Sequence, residues 1–176
     1  MKKFDELADR AVENYGVVTS AEATAMGIAL KDVVEWVHSG RLEKVGRGVF
    51  RLCRYPYNDL CHYAEAVALV GKGAWLYGES VLALHNLAMV NPPCTFVATT
   101  KRVRRALPEW IKLVPRHDET GKDDYEGIPC QNLADVLIES KEHIMRDRLV
   151  QAIQEARGKG LLSIEDNKRI KKSFGI

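Results

Sequence analysis

Along the first third of the chain the apolar positions recur with helical spacing and are cut into short blocks by glycines. Phe4, Leu7, Ala8, Ala11, Val12 and Tyr15 fall on one face of a predicted helix over residues 3–15, with Gly16 placed as a C-cap glycine. Thr19 and Glu22 have capping-box spacing and open a second helix. Its Ala21, Ala23 and Ala25 allow close packing, and Gly27 closes it. Leu30, Val33, Val34 and Val37 then predict the apolar face of a short third helix that Gly40 stops. Lys31, Asp32, Glu35 and His38 form its outward face, and Trp36 reads as core packing, with DNA or the domain interface as its other uses. Two short runs around Gly46-Arg47-Gly48 predict a β-hairpin, with strands over Arg41–Val45 and Val49–Cys53.

Helix, short helix, tight turn, helix and two-stranded hairpin is the order of a winged helix-turn-helix. "RYPYNDL" reads as a connector, with Pro56 as its breaker. Beyond it the pattern changes character. "NDLCHYAEAVALVG" and "ESVLALHNLAMV" predict apolar helices, the first capped by Asn58 or Asp59. "CTFVATT", "WIKLVPRH" and "DYEGIPCQ" predict three strands. "NLADVLIESK", "HIMRDRLVQAIQEARGKG" and "SIEDNKRIKKSF" predict closing helices, with Asn132 and Ser163 as N-caps. The expected fold class is α+β: a winged helix-turn-helix over residues 1–54 and a mixed α/β domain over residues 55–176.

Charge changes this picture only locally. The net charge of +2 over 176 residues does not by itself point to nucleic acid. Residues 41–54, however, hold five basic residues (Arg41, Lys44, Arg47, Arg51, Arg54) and one acid, Glu43, whereas residues 1–40 hold four basic and seven acidic ones. The positive charge of the first domain is therefore concentrated on the hairpin. Arg47 at its tip is the expected close contact to DNA, and Arg41, Lys44 and Arg51 are expected phosphate clamps. Thr19 and Ser20 at the start of the second helix and Lys31 on the third complete the candidate DNA-binding set. The alternative is a hairpin whose arginines only keep a strand edge solvated. Lys101, Arg102, Arg104 and Arg105 form a possible second basic patch after a strand, for phosphate or for an acidic partner, with a solvated loop as the other reading. Lys168, Arg169, Lys171 and Lys172 read as a charged helix face.

Other chemistry finds little support. Cys53, Cys61, Cys94 and Cys130 lack the paired spacing of a zinc site and read as reduced thiols, so no metal and no cofactor is expected. "ESK", Glu139 to Lys141, matches the E-x-K of metal-dependent nucleases, with Asp135 or Asp124 as upstream acid. It lies, however, in a stretch with helical spacing rather than on a strand. "GES" at Gly78–Ser80 is followed by no D-x-D, and His85 reads as a packed histidine. No phosphate loop and no G-x-S-x-G occurs. The expectation is a protein with no catalytic residues. The charged N-terminus "MKKFDELADR" is unlike a signal peptide, and no segment is apolar enough to span a membrane, so the expected location is the cytoplasm.

"GVVTSAEATAMGIALKDVVEWVHSGRLEKVGRGVFRL" resembles the N-terminal winged helix of the AbiEi family, antitoxins of type IV toxin–antitoxin systems. The pattern is G-x-x-T-x-x-E-A, then G-[IV], then G-R-L-x-x-V-x-R-G-V-[FY]. The likeness continues in "AEAVALVGKGAWLYGESVLALHNLAMVNP", "GIPCQNLADVLIE" and "LVQAIQEARGKGLLS", so that it covers nearly the whole chain. The resemblance implies a first domain that binds double-stranded operator repeats upstream of its own operon and represses it. It implies a second domain that antagonises a nucleotidyltransferase-type toxin, without a stable complex. Carried onto this chain, Arg41, Arg47 and Arg51 would be wing contacts, and Lys31 would lie on the recognition helix. The alternative is a lone winged-helix regulator or a protein-interaction module without antitoxin activity. The acidic residues of the third helix favour the module, and the charged wing favours DNA.

Overall fold

The computed structural model describes residues 2–176, and these divide into two compact units, the first running to Lys72 and the second from Gly73 to Ile176. The first unit has the order α1 (Lys2–Val12), β1 (Val17–Thr19), α2 (Ser20–Ala25), α3 (Leu30–His38), β2 (Leu42–Gly46), β3 (Val49–Leu52) and α4 (Asp59–Val70). Its strands form an antiparallel sheet in the order β1-β3-β2. Leu7, Ala11, Val18, Ala23, Ile28, Val33, Leu42, Phe50 and Leu52 make its core. Phe4 and Trp36 pack against that core and meet edge-on with ring centroids 5.1 Å apart. This is the winged helix-turn-helix arrangement, and it carries one strand, β1, that the hydrophobic pattern did not predict. Three residues are too few to show a period. β1 exists because Val17 to Thr19 pair with Val49 to Arg51.

Two expectations change here. The stripe on α3 is centred on Val33, which is buried, and on the half-buried Trp36 and Val37, which turns Leu30 and Val34 outward. They are 54% and 51% exposed. The expected boundary between residues 54 and 55 falls inside the first unit, because α4 packs on β1 and β3. Asn58 caps α4 by accepting from the Leu60 amide at 2.9 Å.

The second unit contains β4 (Trp75–Leu76), α5 (Glu79–Leu84), β5 (Thr95–Thr99), β6 (Ile111–Pro115), β7 (Lys122–Tyr125) and β8 (Ile128–Gln131). It closes with α6 (Leu133–Glu139), a 3-10 turn (Ser140–Glu142), α7 (Arg146–Gly158) and α8 (Ile164–Phe174). Its five-stranded sheet has the order β6-β5-β4-β8-β7, with β5-β6 and β4-β8 parallel and β4-β5 and β7-β8 antiparallel. Trp75, Leu76, Leu82, Leu87, Ile128, Leu137, Leu149, Ile153 and Ile170 are fully buried. The α+β class is as expected. The expected single strand "DYEGIPCQ" is instead part of a hairpin, because Glu126 and Gly127 both take positive φ and reverse the chain between β7 and β8. The helix expected over "ESVLALHNLAMV" ends at Leu84. Asn86 adopts φ 54°, and the amides of Asn86 and Leu87 donate back to the carbonyls of Ala83 and Leu82, a Schellman ending. Asn132 and Ser163 cap α6 and α8 as expected.

Candidate DNA-binding surface

The surface is assembled from the start of α2, the outer face of α3 and the β2–β3 wing. Thr19 is the N-cap of α2. Its hydroxyl accepts from the Glu22 amide at 3.2 Å and donates to the Glu22 carboxylate at 3.0 Å, and Arg10 donates to the same carboxylate at 2.9 Å. That hydroxyl serves the cap, so Thr19 reaches a phosphate only through local rearrangement. Ser20, the next residue, ties α2 to the wing: its amide donates to the Gly48 carbonyl at 2.9 Å.

The wing tip is shaped by two close approaches. Gly48 has φ +69°, and a Cβ there would sit 2.8 Å from Ser20 Oγ. A Cβ on Gly46 would sit 2.3 Å from Leu69 Cδ2, where the register between β2 and β3 shifts. The glycines thus let the tip fold down onto α2 and α4 while Arg47 between them stays exposed. Lys44 is also exposed, and neither it nor Arg47 has an ion-pair partner among the described residues. Arg41 is exposed at the start of the wing, with its guanidinium 5.0 Å from the centroid of the Phe4 ring. Lys31 is exposed on α3.

Arg51 is different. It donates to Glu43 at 2.6 Å and to Glu65 at 2.6 Å, and lies 5.0 Å over the Tyr57 ring. Its side chain is 23% exposed and that of Glu65 only 7%. Burial works against the charge of Arg51, but the bonds to the two carboxylates outweigh it and raise its pKa above the ordinary value. Burial, and next the Glu65 charge, likewise raise the Tyr57 hydroxyl. Arg51 braces the base of the wing against α4 and presents no free charge to a phosphate. The sequence held no local sign of this, because Glu65 lies fourteen positions further on.

The start of α2, the outer face of α3 and the wing lie in a stretch that a family model covers. Residues 5–52 match the family model described as transcriptional regulator, AbiEi antitoxin. The match spans α1 to β3 and takes in α2, α3 and the wing. It ends before α4 and includes no residue of the second unit, so the likeness to AbiEi regulators is confined to the winged helix. No curated protein matches the chain.

In the second unit Lys101, Arg102, Arg104 and Arg105 are exposed in the loop between β5 and β6. Glu139 ends α6 and Lys141 lies in the following 3-10 turn, so the E-x-K triplet is helical as its spacing predicted. Glu139 accepts from Gln131 Nε2 at 2.9 Å, and Lys141 donates to Ser173 on α8. His85 is buried against Tyr125, with centroids 4.1 Å apart. Burial pushes its pKa down to about 4, opposed by Asp123 and aided by Lys159. It is a neutral packed histidine at pH 7. Burial, with Asp123 and Asp124, pushes the Cys130 thiol up to about 12. Among the described residues no helix is long and apolar enough to cross a membrane.

Proposed function

We propose that this protein is a DNA-binding autorepressor and antitoxin of the AbiEi type. The winged helix binds operator repeats upstream of its own gene through α3 and the wing. The second unit antagonises a nucleotidyltransferase-type toxin without holding it in a stable complex. The protein acts in the cytoplasm, by binding and not by catalysis. The observation that carries this reading is the wing tip: Lys44 and Arg47 stand exposed without a carboxylate partner, on a hairpin pinned to the first turn of α2. The family match over residues 5–52 supports the same reading.

A gel-shift titration against the DNA upstream of the gene tests the first half. Binding should exceed that to random DNA, and log K should fall with log salt by about 0.9 per phosphate neutralised. With Arg41, Lys44 and Arg47 as the contacts, Arg47→Ala should lower that slope by about 1 and weaken binding to every sequence alike. Equal affinity for upstream and random DNA would rule out an autorepressor. Co-expression with a nucleotidyltransferase encoded beside the gene tests the second half, and growth should recover only when the second unit is present.

A further inference from the structure

The outward surface of α3 carries two rows at helical spacing, Leu30–Val34–His38 and Lys31–Glu35, all exposed. Leu30 and Val34 stand about half open to solvent on a helix whose other side already fills the core with Val33 and Trp36. Neither is needed to hold the fold. Single exposed apolar side chains are ordinary, but these two are neighbours one turn apart on one row and form a small apolar patch beside the charged wing. Apolar side chains there point to an apolar partner, and the charge next to them says what surrounds that partner. α3 leads through Gly40 into a wing where Arg41, Lys44 and Arg47 are exposed, while Arg51 is withdrawn by Glu43 and Glu65. The partner therefore combines an apolar feature with flanking negative charge.

The major groove offers this combination at one base. Thymine alone among the four places a methyl group on the groove floor, between two phosphate backbones. We infer that Leu30 and Val34 are specificity-determining residues that read the 5-methyl groups of thymines in the operator. This rests on the DNA-binding reading above. Leu30 opens α3, at the end of a recognition helix that meets the base edges, and Val34 follows one turn later. Four residues advance a helix by about 6 Å, close to two base-pair steps of about 3.4 Å, so the two side chains address thymines one or two steps apart. Glu35, on the adjoining row, repels phosphate. It leaves less of the affinity to sequence-independent charge and more to the methyl contacts.

The test compares the upstream duplex with the same duplex carrying deoxyuridine for thymine, which keeps every hydrogen-bonding group and removes only the methyl. Full-length protein should bind the uridine duplex about 4-fold more weakly per methyl contacted, roughly 15-fold for two. The double variant Leu30→Ala, Val34→Ala alters two exposed positions outside the core, so it should fold. It should bind both duplexes equally and keep the salt slope of the unaltered protein. Equal binding of the two duplexes by the unaltered protein, with salt-sensitive upstream preference retained, would overturn the methyl readout and leave the DNA-binding reading standing. Absence of any upstream preference would overturn both, and the α3 face would then be a protein-docking surface.

Discussion

Replacing Arg51 separates its structural role from a role on DNA. Arg51→Met keeps an unbranched apolar stem and removes the guanidinium and its charge. It leaves Glu65, with a side chain 7% exposed, facing its lost partner, whereas Glu43, 57% exposed, is free to turn to water. Stranding one member of a buried pair costs 3–5 kcal/mol, and because Arg51 itself is 23% exposed the expected loss is at the low end, about 3 kcal/mol. Glu43→Gln removes an exposed partner and should cost about 0.2–1 kcal/mol. The double variant Arg51→Met, Glu65→Leu replaces the pair by apolar groups and should recover to within about 1 kcal/mol of the original. The assay is urea denaturation, with hydrogen exchange of the β2 and β3 amides to assign the loss to the first unit. The second readout is DNA binding at a temperature where every variant is folded. A braced Arg51 leaves the salt slope unchanged, whereas a phosphate clamp lowers it by about 0.9. Destabilisation below about 0.5 kcal/mol, with no coupling to Glu65 and a reduced salt slope, would refute the bracing role.

Gly48→Ala should destabilise the first unit by about 1–2 kcal/mol, from the left-handed backbone alone. The approach of its Cβ to Ser20 Oγ adds to that, and pairing it with Ser20→Ala should relieve the added part in a thermal melt. His85 gives the second unit a pH dependence. Its folded pKa is depressed to about 4 against an ordinary value of 6.5, so the unfolded chain binds the proton first as the pH falls. The stability it contributes is fully present above about pH 6.5 and declines by about 2–3 kcal/mol as the pH approaches 4. His85→Phe should flatten that part of the profile, and an unchanged profile would show that the ring is protonated without cost. Thiol labelling of the native protein should modify exposed Cys53 first, while buried Cys61 and Cys130 react only on unfolding.

What the chain decides by itself is local. The capping pair Thr19–Glu22, the caps at Asn58, Asn132 and Ser163, and the glycine-flanked hairpin all formed where the residues indicated. Such signals act within a turn or two of backbone, so spacing reveals them. The winged helix was legible for this reason, and so were the exposed cations at its tip. Tertiary structure decided whatever depends on partners distant in sequence. β1 and β4 are strands only because β3 on one side and β5 and β8 on the other supply their hydrogen bonds. Val33 took the inward position on α3 because the core of the first unit closes around it, and this set Leu30 and Val34 facing outward. Arg51, identical in type to Arg47 and four positions away, is drawn into an ion pair because α4 brings a buried carboxylate beneath it. An arginine's charge is written in the sequence, but whether that charge meets water or a carboxylate is settled only when the helices and strands pack.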